Sequence, residues 1–371
     1  MNQNILGQRL KEEAGLLAGV LTLVSFLIFG KGWLTNMSGA VFPTILFFWL
    51  FLTMLWLSFG VVKHADCLAI KLGEPYGTLI LTLSVISIEV VMITAVMLTG
   101  DQNPTIGRDM MFAVLMIVLN GLVGISLLCG GIRHLEQVHN LQGANTFLIV
   151  LIPLSVLSLL LPNFTLSTER GTYSTAQMMF GILASVSLYG TFLAIQTMRH
   201  QGFFKIPGGD PEDELDHGNL IIRSVIYHVS LLLATMLPIV LLSKSMAKII
   251  DYKVAGFGFP VAFGGVLIAV LVLAPEGVAA IKSATSDKLQ RSVNICLGSG
   301  LATIGLTVPA ILLISLATGN KVVLGLGQVD SVLLVTTLVV SMLTFASNKT
   351  NIIHGVVHTI LFVAYLVMIF D

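Results

Sequence analysis

Residues 82–98 read TLSVISIEVVMITAVML and residues 266–281 read VLIAVLVLAPEGVAAI; each is an apolar run holding one acid, Glu89 in the first and Glu276 in the second. A carboxylate in hydrocarbon loses its hydration, so an acid kept inside a membrane span faces a cavity or a partner and carries function. Two such acids, one in each half of the chain, point to a path for cations or protons.

The rest of the chain suits that reading. Its 371 residues are 56% hydrophobic and 10% charged, where soluble domains are about a quarter charged. This is the composition of an integral membrane protein whose first partner is the lipid bilayer. Nineteen basic and nineteen acidic residues cancel, so the net charge suggests no nucleic-acid partner. Cys67, Cys129 and Cys296 lie in or beside apolar runs without C-x-x-C spacing and read as buried thiols. The opening MNQNILGQRLKEEAG leads into an apolar run without a small-residue cleavage site, which is expected to be retained as a first helix.

A spanning helix needs roughly 20 apolar residues. Eleven stretches meet that requirement: 14–33, 40–62, 76–99, 110–131, 146–162, 175–197, 220–243, 257–281, 293–316, 328–347 and 352–370. The expected fold is therefore an all-α membrane protein of about eleven transmembrane helices. Lys and Arg are commoner in the loops on the N-terminal side, which places the N-terminus in the cytoplasm. The one long polar stretch, RHQGFFKIPGGDPEDELDHGN at 199–219, is then cytoplasmic. It separates 40–197 from 220–371, and residues 1–33 form an N-terminal segment with an extra helix. Five spans on each side of the loop force the two halves into opposite orientations, which is the inverted-repeat architecture of many secondary transporters. Each glutamate sits in the second span of its half, so the two are expected to meet near the midplane.

The segment APEGVAAIKSATSDKLQRSVNICLGSGLATIGLTVPAIL at 274–312 resembles the second alpha-repeat of the calcium/cation antiporter superfamily. The matching elements are the acid Glu276, a charged turn, the pair Gly298-Ser299 and a closing proline. Residues 73–93 and 115–137 resemble the first repeat through Glu89, Asn120 and the pair Gly130-Gly131. The G-N-A that usually precedes each acid is replaced here by Val85, Ile86 and Ser87, and by Val272 to Pro275. The resemblance is to the ChaA-type bacterial calcium (sodium, potassium)/proton antiporters. It implies antiport in the bacterial inner membrane, with Glu89 and Glu276 as the ion-binding acids and no cofactor beyond the transported ions.

The chemistry of two buried carboxylates is argued without the family. Both ionised and empty is strongly disfavoured in low dielectric. Two protons neutralise the pair, and so does one divalent cation. Calcium prefers several oxygen ligands. Two glutamates supply up to four, and Thr82, Ser84, Ser87, Asn120, Asn294, Ser299 and Thr303 are candidates for more. If only neutral states cross the membrane, obligatory exchange of calcium for protons follows. One monovalent cation plus one proton obeys the same rule, which leaves a sodium or potassium/proton antiporter as the alternative. Pro275 removes the usual helical donor from the carbonyl of Leu271, a further potential ligand if the helix breaks there.

Other polar residues have plainer readings. Asn120 and Asn294 suit polar glue between helices as well as ion contact, and the serines suit helix packing. Glu74 is read as interfacial. His354 and His358 are one turn apart but lack an H-E-x-x-H glutamate, so they read as a packing pair. His228 is read as packed, with proton relay as the rival. Asp210, Glu212, Asp213, Glu214 and Asp216 form a solvated loop whose spacing is not that of an EF-hand. An intramembrane aspartyl enzyme is disfavoured because Gly325-Leu326-Gly327 is followed by Gln328, and no G-x-S-x-G occurs. A channel has no need of two titratable acids in inverted repeats.

Overall fold

The computed structural model describes residues 13–39, 41–72, 76–99, 104–205 and 221–371. Glu74 and the acidic run 210–216 lie outside the described residues. Eleven long helical runs make up the described fold, with a short 3-10 turn at Gln201–Phe204. They are α1 Ala14–Thr35, α2 Val41–Leu72, α3 Tyr76–Thr99, α4 Ile106–His134, α5 Leu141–Phe164, α6 Thr175–Arg199, α7 Val225–Phe257, α8 Val261–Thr285, α9 Leu289–Thr318, α10 Gln328–Thr344 and α11 Ile352–Met368. Eight of the described helices are long and apolar enough to cross a membrane, and α10, α11 and residues 83–94 of α3 are shorter apolar helices. β1 Glu136–Val138 and β2 Lys349–Asn351 pair antiparallel, with Glu136 opposite Asn351.

The apolar runs predict the helices well and their ends less well. α2 continues ten residues past the expected end at 62, through KHADCLAIKL, and α7 continues past 243 through KSMAKIIDYKVAGF. Apolar counting stops at the first charge, but helical hydrogen bonding does not, so these two helices carry polar extensions. Ser224 caps α7 by accepting from the Tyr227 amide at 3.3 Å, and Gly258 at φ +67 ends it. α8 starts four residues later than expected and runs unbroken through Pro275 to Thr285. The expectation of a broken helix at Pro275 is corrected: the ring removes one hydrogen bond, while the i→i−4 ladder on either side keeps the helix continuous.

Two compact units cut across the sequence halves. One gathers residues 1–102 and 217–272, and the other 103–216 and 273–371. In the first, α2 and α7 pack along each other, with α1 and α3 against them. Small residues set these approaches: a Cβ on Gly19 would meet Leu57 at 2.6 Å, and one on Gly60 would meet Thr235 at 3.2 Å. Phe26 of α1 meets Trp49 of α2 edge-on and Trp33 meets it tilted, and the Trp49 indole donates to Thr22 at 3.0 Å.

In the second unit the most buried helix is α4. It crosses α11 at glycines: a Cβ on Gly124 would meet Thr359 at 2.8 Å, and one on Gly355 would meet the Leu128 backbone at 2.4 Å. α4 widens into a π-helical segment at Ile117–Leu122, and α9 does so at Thr303–Thr307. These segments begin 28 residues after Glu89 and 27 after Glu276 respectively, each in the helix following its glutamate. π segments of this kind are frequent at functional sites.

Candidate functional site

Glu276 lies on α8 in the second unit, half-buried, and Ser299 Oγ of α9 donates to its Oε2 at 2.8 Å. The neighbouring Gly277 leaves the space that admits Leu122: a Cβ there would meet the leucine at 2.7 Å. Leu122 ends the π segment of α4, and Gly300, one residue after Ser299, packs on Leu119 and Val118 of that segment. Glu276 thus sits where α8, α9 and the widened turn of α4 converge. Thr303 is fully buried at the start of the π segment in α9, one turn beyond Ser299.

Glu89 lies on α3 in the first unit and is 3% exposed. Ser84, also buried, shares the inward side of that helix with Val85, Ile88 and Met92. Ser87 is exposed, and its hydroxyl bonds back to the Leu83 carbonyl at 2.5 Å. Two residues along a helix are about 200° apart, so Ser87 and Glu89 point to different sides. Thr82 lies on α3, and its side chain is outside the described ones.

The two asparagines are engaged by protein groups. Asn120, fully buried in the π segment of α4, donates from Nδ2 to Thr337 Oγ1 at 2.8 Å and bonds through Oδ1 to His358 Nδ1 at 3.1 Å. Because Oδ1 only accepts, His358 carries its proton on Nδ1, and its Nε2 accepts from Thr344 Oγ1 at 3.0 Å. Asn294 donates to the Phe204 carbonyl at 2.6 Å and accepts from Gln290 Nε2 at 2.7 Å, which ties the start of α9 to the turn after α6. His354 accepts from the Asn351 amide at 3.2 Å in the capping box of α11. Among the described residues no group of three or more His, Cys, Asp or Glu is arranged to hold a metal ion. His228 is packed, at 1% exposure, and its Nδ1 lies 3.2 Å from Nδ1 of a second histidine, His64.

This is the fold of a membrane cation exchanger. The chain aligns in three dimensions with native YfkE, a Ca2+/H+ antiporter protein, at a TM-score of 0.72 and 17% identity over 96% of this chain and 99% of that one. It aligns with the H+/Ca2+ exchanger CAX at a TM-score of 0.68 and 16% identity, over 96% and 88%. The sodium/calcium exchanger protein family matches residues 42–198 and 227–370, and the chain belongs to that family. The sodium-potassium/proton antiporter ChaA of Escherichia coli (strain K12) is 39% identical over 363 residues, 97% of this chain and 96% of its own length. A putative ionic transporter of Sinorhizobium fredii is 38% identical over 311 residues, 84% of each chain.

Proposed function

We propose that the protein is a secondary-active cation/proton antiporter of the bacterial inner membrane, with its N-terminus in the cytoplasm. It exports calcium, and also sodium or potassium, in exchange for protons by alternating access. Glu89 and Glu276 carry the negative charge that a cation or protons must neutralise before the loaded protein can reorient. The observation that carries this reading is Glu276 itself: a carboxylate in an apolar helix, with a hydroxyl donor at 2.8 Å, in a family of cation exchangers. Glu89 is its counterpart in the other half by order of helices and by distance to the following π segment. Matching of the family over two separate stretches, 42–198 and 227–370, supports two repeats within one chain.

Ser299 is the hydroxyl that supports Glu276 in this reading, and the buried Thr303 and Ser84 remain candidates for further ligands. Asn120 fits the role of holding the π segment of α4 in place, since His358 and Thr337 occupy its amide. Asn294 fits a structural tie, and Ser87 belongs to the exposed side of α3.

A monovalent sodium or potassium/proton antiporter is the second reading, favoured by the named activity of the relative 39% identical to this chain. Everted membrane vesicles with a pH-sensitive dye test both readings. Addition of calcium, sodium or potassium is expected to dissipate the proton gradient, and Glu89→Gln or Glu276→Gln is expected to abolish the response in protein that still inserts. Near-normal exchange by either variant removes that glutamate from the mechanism.

A further inference from the structure

The first unit holds a buried chain of titratable groups that ion binding at the glutamates does not use. Glu13 precedes α1, His64 lies on the polar extension of α2, and His228 lies in the first turn of α7. His64 and His228 are 0% and 1% exposed. Glu13 Oε2 meets His64 Nε2 at 3.1 Å, His64 Nδ1 meets His228 Nδ1 at 3.2 Å, and the Arg223 amide donates to His228 Nε2 at 2.9 Å. Lys63 donates to Glu13 Oε1 at 3.1 Å, Tyr227 donates to the same oxygen at 3.3 Å, and the Arg223 guanidinium donates to the Tyr227 hydroxyl at 3.1 Å.

Donor rules assign every proton. A backbone amide only donates, so His228 Nε2 holds a lone pair and a neutral His228 carries its proton on Nδ1. That proton points at His64 Nδ1, which must accept. His64 therefore carries its proton on Nε2 and donates to the Glu13 carboxylate. With both rings neutral, each ring nitrogen is satisfied in a single arrangement, and the chain joins the approach to α1, the end of α2 and the start of α7.

One added proton breaks it. If His64 is protonated on Nδ1, two N–H groups face each other 3.2 Å apart. If His228 yields by moving its own proton to Nε2, it opposes the Arg223 amide instead. A proton on Nε2 of His228 opposes the same amide directly. Each case costs a buried hydrogen bond at the start of α7. Access to water is short, because the Glu13 and Lys63 side chains are 17% and 35% exposed.

We propose that Glu13, His64 and His228 form a cytoplasmic pH latch, closed when both histidines are neutral and opened by one proton, which sets the mobility of α7 against α2 independently of the protons exchanged at the glutamates. The charged and titratable groups that face the rings are Glu13 ahead of α1, Lys63 of α2, and Arg223 and Tyr227 at the start of α7. Asp66, Cys67 and Lys71 follow on α2, and Glu89 is the one charged residue in the sequence of α3. Lys63 and Arg223 disfavour a second cation in the cluster, and Glu13 favours the first proton on His64.

Two measurements on the full chain in lipid nanodiscs test the latch. Nitrogen-15 spectra of histidine-labelled protein at pH 8.5 are expected to show a ring protonated on Nδ1 that is lost in His228→Gln, and one protonated on Nε2 that is lost in His64→Gln. The reverse tautomers overturn the proposal. Amide hydrogen exchange across 221–232, corrected for the intrinsic pH dependence, is expected to quicken about tenfold between pH 8.5 and 5.5, the worth of about one lost hydrogen bond. It is expected to lose that dependence in His64→Gln/His228→Gln and to keep it in Glu89→Gln/Glu276→Gln. Equal protection at the two pH values, or a dependence that survives in the histidine variant, sinks the latch, and the second outcome assigns the opening to other groups.

Discussion

Ser299 is the residue whose role is most open to direct measurement. Its hydroxyl reaches Glu276 at 2.8 Å from the next helix, and a hydrogen bond to a charged group contributes about 1.5–3 kcal/mol. Ser299→Ala is expected to weaken apparent cation affinity about tenfold or more in transport assays, in protein that still folds and inserts. Unchanged affinity would make Ser299 a packing residue. His139, between α4 and α5, is fully buried, and burial together with the neighbouring His354 pushes its imidazole down to about 4 from the usual 6.5. The folded state therefore keeps this ring neutral where the unfolded chain would protonate it. Its contribution to stability is complete above about pH 6.5 and is lost as pH falls toward about 4. Melting temperature followed over that window is expected to fall more steeply in wild type than in His139→Gln; parallel slopes would remove His139 as a cause.

At the scale of elements, the packing of α4 on α11 rests on absent side chains. Gly355 leaves no room for a Cβ, since the Leu128 backbone lies 2.4 Å from where it would stand, whereas Gly190 on α6 has nothing within 4 Å. Gly355→Ala is expected to destabilise the protein by about 1–3 kcal/mol, because backbone cannot move aside as a side-chain end can. Gly190→Ala is expected to be neutral or stabilising by up to about 1 kcal/mol. Thermal unfolding of the pair in one detergent checks both, and equal effects would mean that α4 and α11 shift apart at little cost.

At the scale of the whole molecule, protons and cations competing for the same carboxylates give apparent cation affinity a slope against pH. If calcium displaces two protons, affinity is expected to change up to about a hundredfold per pH unit, and about tenfold if a cation displaces one. The slope thus separates divalent from monovalent exchange. A dissociation constant independent of pH between about 6 and 9 would require separate sites. The orientation is testable by labelling: a cysteine placed at Asn36, between α1 and α2, is expected to react with a membrane-impermeant reagent from outside the cell, and labelling from the cytoplasmic side alone would invert the topology.

The number of helices, their approximate positions and the two acids within apolar spans were legible along the chain, because hydrocarbon demands continuous apolar runs and makes an isolated charge conspicuous. Helix ends were not legible where polar residues continue a helix beyond the apolar run, as in α2 and α7. Nor were the partners of single polar residues. Asn120 reads the same in sequence whether it faces an ion or His358, and His228 gives no hint of His64, 164 residues away. Periodicity and hydropathy report which solvent a segment prefers. Which hydroxyl reaches which carboxylate, and which ring nitrogen keeps its proton, depend on contacts between distant segments and exist only once the helices are packed.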